Sequence, residues 1–334
     1  MIDKNGSAYR ALQRIWRKVR LLRMARALTR DHLYDLRRYL RWSHGMDTDR
    51  TEAQSRHALY KAYHGVEKGL SLSEPRPGFG RDKVMALTRK LQEYRDRHGV
   101  ELAPAVSALH AYQAFNATHD VDNAPLEAFL AGQPDNGVGG TARVTAQDIR
   151  AAGAQADASF FWSRHSVRQY APTPVDLDLI AEAVDRARKT PSVCNRQGPR
   201  VHVFENAQQA LDWQPGNRGF GDRASRALVV TADLQAFSGA GERNQPFVDG
   251  GMFAMSLLYA LHSLGLGACP LAWSMRHSDD QKMRQALNIP DSEAVIMMIS
   301  VGHLPEELEV ARSHRMGLDH VMVLHGAPGQ GDVT

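Results

Sequence analysis

The sequence predicts an α+β fold, a mixed or antiparallel sheet wrapped by helices and preceded by an all-helical region. Three observations point to it. Residues 1–140 carry helical spacing but nothing that reads as a strand-rich domain. Short apolar runs that suit strands appear only in the second half, at 201–204, 227–230, 268–271 and 294–301. Helices and strands there follow no regular βαβ repeat, which argues against a doubly wound parallel sheet. At 334 residues the chain is also long for one core, so two parts are expected, 1–140 and 145–325, with the linker inside 132–140.

Residues 8–30 place Tyr9, Leu12, Trp16, Val19, Leu22 and Leu28 among arginines at helical spacing, giving one apolar face. Such a basic amphipathic helix can dock its stripe on its own protein, or meet an anionic membrane or a polyanion; docking is the favoured expectation. Residues 51–69 predict a helix closed by Gly69. Its His57, His64 and Glu67 share roughly one face, but one helix supplies too few ligands for zinc, and structural roles are preferred. The prolines and glycines of Glu74-Pro75-Arg76-Pro77-Gly78-Phe79-Gly80 force a turn.

Helical patterns resume at 83–98, 104–118 and 123–130. Beyond the linker, residues 145–162 predict one helix and 175–188 another, the latter opened by Pro174 and acidic first-turn residues. A long apolar helix at 247–264 ends in Gly265-Leu266-Gly267, and the run 294–301 suits a central strand. From Gly326 the chain is Gly/Pro-rich and polar, so a disordered tail is expected over 326–334.

Composition narrows the function classes. With 43% hydrophobic and 23% charged residues the chain reads as an ordinary globular protein. No stretch approaches the roughly 20 continuous apolar residues of a membrane span. Two cysteines, Cys194 and Cys269, exclude a disulfide framework by number and are expected to be reduced thiols of a cytoplasmic protein. The N-terminus lacks a continuous apolar signal region, although its arginine-rich start can mimic a mitochondrial transit peptide. Charge is unevenly placed: Arg10, Arg14, Arg17, Lys18, Arg20, Arg23, Arg26 and Arg30 occur with no acidic residue between them. No strand-to-helix glycine turn, P-loop or nucleophile elbow is present, and the basic segment lacks the aromatic interleaving of a nucleic-acid reader. No metal site is expected.

A phosphorylated ligand needs clustered cationic and hydroxyl donors, because a phosphate dianion is held by charge-assisted hydrogen bonds. Arg164-His165-Ser166-Val167-Arg168 supplies two guanidiniums, an imidazole and a hydroxyl within five residues. Downstream lies Thr190-Pro191-Ser192-Val193-Cys194-Asn195-Arg196-Gln197, a polar loop just ahead of a strand, able to present donors to the edge of a planar heterocycle.

Arg164-x-Ser166-Val167-Arg168, then Pro172-x-Pro174-Val175, then Pro191-Ser192-x-x-Asn195-x-Gln197 resembles the opening of the FMN-dependent nitroreductase family. The helix end Ala260–Gly267 running into Ala268-Cys269-Pro270, and the closing Ile299-Ser300-Val301-Gly302-His303-Leu304-Pro305, resemble later signatures of that family. The likeness spans about residues 155–325. His64-Gly65-Val66-Glu67-Lys68-Gly69-Leu70 followed by Pro75–Gly80 is similar to the N-terminal extension of members associated with bacterial surface-polysaccharide genes.

The resemblance implies that Arg164, His165 and Ser166 hold the FMN phosphate, with Arg168 reaching toward the ribityl chain and the pyrimidine edge. A cation there stabilises the anionic reduced flavin. It implies that Pro191, Ser192, Asn195 and Gln197 approach the flavin from the partner of a homodimer. Pro270, Leu271 and Ala272 would pass beside the ring and offer a backbone N–H, and Arg315 would close the phosphate site. The family's activity implies that NADH or NADPH reduces the flavin and leaves before a small organic acceptor binds, in ping-pong fashion. No side chain is assigned as catalytic; Tyr170 and His262 are conceivable proton sources for which structural roles are preferred. The alternatives are a dedicated tailoring oxidoreductase of cell-surface polysaccharide metabolism, its pocket partly formed by residues 57–80, and a non-catalytic flavin-binding scaffold. Three departures from the family pattern stand out: Gly198-Pro199-Arg200 after Gln197, Leu271-Ala272-Trp273 after Pro270, and Ser313 in place of a base, with Arg312 adjacent. Trp273 is expected to narrow the substrate pocket or to stack on a ring.

Overall fold

In the computed structural model, residues 7–45, 51–119 and 121–325 are described. The expected tail 326–334 and the side chains of residues 7–11, Tyr9 and Arg10 included, lie outside the described residues. The first helix, α1 (Ser7–Trp42), is 36 residues long. Four helices follow. In α2 (Glu52–Leu70), the Thr51 hydroxyl accepts from Gln54 N while the Gln54 side chain accepts from Thr51 N, a reciprocal cap that satisfies two otherwise orphaned donors. Next, α3 (Arg81–His98) is bounded by Gly80 and Gly99, both left-handed (φ 61° and 67°). Then come α4 (Ala103–Ala117), with Pro104 in its first turn, and α5 (Ala124–Leu130).

These four helices share a core that includes Leu59, Tyr63, Leu87, Leu109, Tyr112 and Leu126. The glycines and aromatic of residues 69–80 serve this packing. A Cβ on Gly69 would lie 2.1 Å from the Phe79 ring, so only glycine lets that ring seat against the helix. Tyr112 donates to Phe79 O at 2.8 Å, and Gly78 N donates to Asn116 Oδ1 at 2.8 Å. Glu67 accepts from Gly140 N and pairs with His64 Nδ1, each at 3.1 Å, while His57 is buried with its Nε2 3.9 Å from Asp233.

The second half opens with α6 (Ala146–Gly153) and α7 (Ala158–Ser163), where one helix was expected over 145–162. The break follows from Asp157, whose carboxylate accepts from Phe160 N and Ser159 Oγ and so starts a new helix. Next come α8 (Leu177–Ala187), β1 (Pro199–Phe204), α9 (Gln208–Leu211), β2 (Arg226–Asp233), α10 (Gln245–Ser263), β3 (Leu266–Ala272), α11 (His277–Leu287), β4 (Glu293–His303) and α12 (Leu318–Val321). The four strands form one sheet of order β1-β2-β4-β3, antiparallel throughout, with β2 and β4 central and a bulge between Val230 and Thr231. Both faces are covered. Leu228, Val230, Ile299 and Val301 pack against α8 and α10, whereas Ala227, Val229, Cys269 and Met298 face a second core with Leu211 and Met283. The central strands β2 and β4 therefore read as apolar runs, whereas the edge strand β1 alternates.

The last three turns of α1 dock on this half. Tyr34 donates to Asp280 Oδ2 at 2.8 Å, Arg38 donates to Asp291 O and Glu293 O, and Trp42 donates to Asp291 Oδ2 at 2.8 Å. Docking stops there. Leu12, Ile15, Trp16, Leu22 and Leu28 are all more than half exposed, so among the described residues the favoured expectation of a fully docked helix does not hold for residues 12–30. Leu28 also lies off the apolar face, because its offset from Leu12 brings it to the far side of the helix.

Candidate functional site

The segment Arg164–Arg168 leaves α7 and runs beside β3, the sheet edge, where Ser166 bridges Ala268 and Val167 N donates to Ala268 O at 3.0 Å. This ladder contact holds Val167 inward and turns Arg164, His165, Ser166 and Arg168 toward a cavity of about 430 Å³. Arg312 and Arg315 line the same cavity, and none of its lining residues is acidic. Its wall toward α10 is Tyr259, whose ring packs against Phe160 and Phe161 with centroids 5.4 and 5.3 Å apart. Arg168 lies over the Phe220 ring at 5.9 Å, and Arg315 donates to Ser313 O. Four guanidiniums without a carboxylate make this an anion-binding cavity on charge alone.

The loop with Pro191, Ser192, Asn195 and Gln197 is built differently and lies elsewhere. Cys194, Asn195 and Gln197 all take left-handed backbone (φ 50°, 51° and 52°), a conformation that costs a non-glycine residue about 1 kcal/mol or more. Packing and hydrogen bonds hold it. Gln197 N donates to Ser192 Oγ at 2.9 Å, and Val193 N donates to Asp249 Oδ2 on α10 at 3.0 Å. Arg196 is fully buried (0% exposed); it pairs with Glu242 at 2.9 Å, and donates to Val193 O and to His44 Nε2, each at 3.1 Å. Burial pushes the Glu242 carboxyl up, but the Ser238 N–H and the Arg196 cation more than offset it, leaving the group below its ordinary value. The latch residues His44, Arg196, Glu242 and Asp249 were not foreseen as a unit. They are single polar residues far apart in the chain, and no local spacing announces them.

Strand order decides which candidates can meet. The loop feeds β1 and the Arg164–Arg168 segment flanks β3, the two opposite edges of the sheet. Three inter-strand spacings of about 4.8 Å separate those edges, roughly 14 Å. One chain therefore brings Arg164, His165, Ser166, Arg168 and Arg315 together and does not bring Pro191, Ser192, Asn195 and Gln197 to them.

Pro270, Leu271 and Ala272 end β3. The Leu271 side chain is buried, and Ala272 O accepts from Gln214 Nε2 at 2.6 Å. Just beyond, Trp273 lines a second cavity of about 150 Å³ together with Tyr34, Arg38, Arg243 and Arg284. The N-terminal contribution here comes from α1 and not from residues 57–80. Asp280 anchors the wall, accepting from Trp273 Nε1 (2.8 Å), Tyr34 (2.8 Å) and Arg284 Nε (2.6 Å). Burial raises its carboxyl, but the Arg284 charge and these bonds outweigh that and hold it below 3.8. The Tyr34 hydroxyl is pushed up to about 12, chiefly by burial.

Of the two conceivable proton sources, Tyr170 is buried and bonded to Val167 O (2.9 Å) and Ser300 Oγ (2.8 Å), and burial raises its pKa well above the ordinary range. It closes the β3–β4 corner. His262 Nε2 meets Ser163 Oγ at 3.0 Å, and burial, with Arg164 and His165 nearby, lowers its pKa.

Comparison with known proteins adds the following. A family model described as "Nitroreductase family" matches residues 162–212 and 205–303. The chain is 24% identical over 217 residues to a 4-nitrobenzoate reductase of Pseudomonas putida, covering 47% of this chain and 94% of that protein. It is 25% identical over 193 residues to an NADH dehydrogenase of Thermus thermophilus, covering 48% of this chain and 91% of that one. Among solved structures it is similar to an FMN-dependent nitroreductase of Clostridium difficile, with 21% identity, a TM-score of 0.44, and coverage of 51% and 100% of the two chains.

Proposed function

We propose that this chain, whose residues 162–303 match the nitroreductase family model, is an FMN-dependent oxidoreductase that takes electrons from NADH or NADPH and passes them to a small organic acceptor. The observation that carries the reading is the carboxylate-free cavity lined by Arg164, Arg168, Arg312 and Arg315. Its donor set fits a phosphate dianion, and its size leaves room for the sugar-alcohol chain behind it. Arg164, His165, Ser166 and Arg315 hold the phosphate, and Arg168 orients the ribityl and pyrimidine part. When bound, the flavin supplies the two-electron chemistry, so no side chain has to.

The separation of the two sheet edges supports a homodimer in which Pro191, Ser192, Asn195 and Gln197 of each chain complete the other chain's site. Phe247, Val248 and Met252 on α10 are 53%, 49% and 39% exposed in one chain, an apolar face suited to such an interface. A single flavin pocket for donor and then acceptor would suit a ping-pong order.

The cavity between α1 and Trp273 favours a narrower version of this reading, a dedicated reductase whose acceptor chamber is partly walled by the N-terminal helix. Arg38, Arg243 and Arg284 there are matched by Asp31, Asp35 and Asp280, so the chamber offers a polar wall of both signs to an acceptor.

The test is the visible spectrum of the purified protein before and after anaerobic NADH or NADPH. Bound flavin that bleaches supports the reductase. Bound flavin that stays oxidised argues for a scaffold, and a colourless protein that refuses added FMN rejects the assignment.

A further inference from the structure

Beyond the flavin domain, α1 presents a face that none of the other described residues covers. Leu12, Ile15, Val19, Leu22, Arg26, Thr29, Leu33, Leu36 and Leu40 follow one another at alternating three- and four-residue steps, so they form one ridge along the helix. The docked residues Asp31, Tyr34, Arg38 and Trp42 lie on the other side, leaving the ridge outward; Leu12, Ile15, Leu22, Leu33, Leu36 and Leu40 are 43–61% exposed. The ridge has a banded character. Two apolar patches, 12–22 and 33–40, flank a middle where Arg23, Arg26 and Arg30 stand together.

Charge decides what fits. Residues 12–30 hold seven cations and no carboxylate, and the next acidic residue, Asp31, is engaged by Arg276 (2.7 Å) and His277 (2.5 Å). Self-pairing along the ridge, parallel or antiparallel, would set this arginine band against its own copy with no acid to relieve it. An anionic lipid surface instead offers phosphates to the band and an interfacial layer to the two apolar patches. Trp16, 64% exposed beside the upper patch, is the aromatic type that favours that layer. None of the described helices is long and apolar enough to cross a membrane, so the contact is peripheral.

We propose that the outward face of α1 docks this protein on anionic bilayer surfaces, with the flavin domain held against the opposite face of the helix. The binding rests on charge first and shallow apolar insertion second, and salt should weaken it.

The test is flotation of the full-length protein with vesicles of phosphatidylcholine, with and without phosphatidylglycerol. Flotation only with the anionic vesicles is expected. The triple variant R23Q/R26Q/R30Q should lower partitioning on the order of a hundredfold, and I15E/L22E should also detach the protein, both with flavin content unchanged. Absence of flotation, equal flotation with neutral vesicles, or an R23Q/R26Q/R30Q protein that still floats would overturn the proposal. So would retention of vesicle binding by I15E/L22E, which would mark a polyanion contact without insertion. Concentration-dependent self-association abolished by L33E would overturn it in favour of a helix–helix interface.

Discussion

Arg196→Ala tests the idea that a buried cation holds the 191–197 loop in its strained shape. Arg196 is 0% exposed and pairs with Glu242, which is 21% exposed at its side chain. Removing one partner of a buried ion pair costs about 3–5 kcal/mol; water reaches part of Glu242, so a loss near the lower end, about 3 kcal/mol, is expected. At about 2–4 °C per kcal/mol for a domain of this class, the Tm should fall by roughly 6–12 °C. The loop should relax at the same time, since Cys194, Asn195 and Gln197 each store strain of about 1–3 kcal/mol that packing and hydrogen bonds maintain. The assay pairs thermal unfolding with an FMN titration. The Glu242 carboxyl is depressed when folded, so its contribution is present above the ordinary value of 4.5 and lost as pH falls through the folded value. The gap between parent and variant should therefore narrow in acid. An unchanged Tm with unchanged FMN affinity would refute the reasoning.

Three further expectations follow. Arg164→Ala removes one charge-assisted contact worth about 1.5–3 kcal/mol, so FMN should bind roughly tenfold to a hundredfold more weakly by fluorescence titration; stoichiometric flavin retained at low concentration would move the phosphate elsewhere. Asp280→Asn should flatten the acid limb of stability. The folded Asp280 carboxyl lies below 3.8, so its stabilisation is present above that value and lost below it, and urea midpoints measured between neutral and acid pH should converge for parent and variant. Gly69→Ala should destabilise by about 1–3 kcal/mol, because the new methyl meets the Phe79 ring; a variant as stable as the parent would show that the ring has another place to go.

Sequence patterns disclosed the parts of this protein that depend on local chemistry. All four strands were legible because both sheet faces are buried and the runs at 227–230 and 294–301 are continuously apolar. Arg164–Arg168 stood out because phosphate recognition concentrates donors within a few residues, and Arg315 lines the same cavity. Long-range chemistry was silent. The Arg196–Glu242–His44 latch joins residues separated by 46 and 152 positions, with no period to betray it. The helix break before Asp157 was missed because helical spacing continues through it, and α11 because its charged first turn hides an apolar side carried by Met283 alone at full burial. The exposed stripe of α1 was misjudged for a related reason: periodicity shows that a helix has a face, but not what covers it.

The opposite placement of the two candidate clusters, one at each sheet edge, has a genetic consequence. Under the proposed pairing, each flavin pocket draws its phosphate donors from one chain and its loop from the other. A chain lacking Arg164 and a chain lacking Asn195 would then each be defective as a pure population. A mixed pair would place both lesions in one pocket and leave the second pocket intact. Co-expression of two null alleles would thus restore up to half the sites in each heterodimer, and interallelic complementation would reveal the architecture without a structure of the pair.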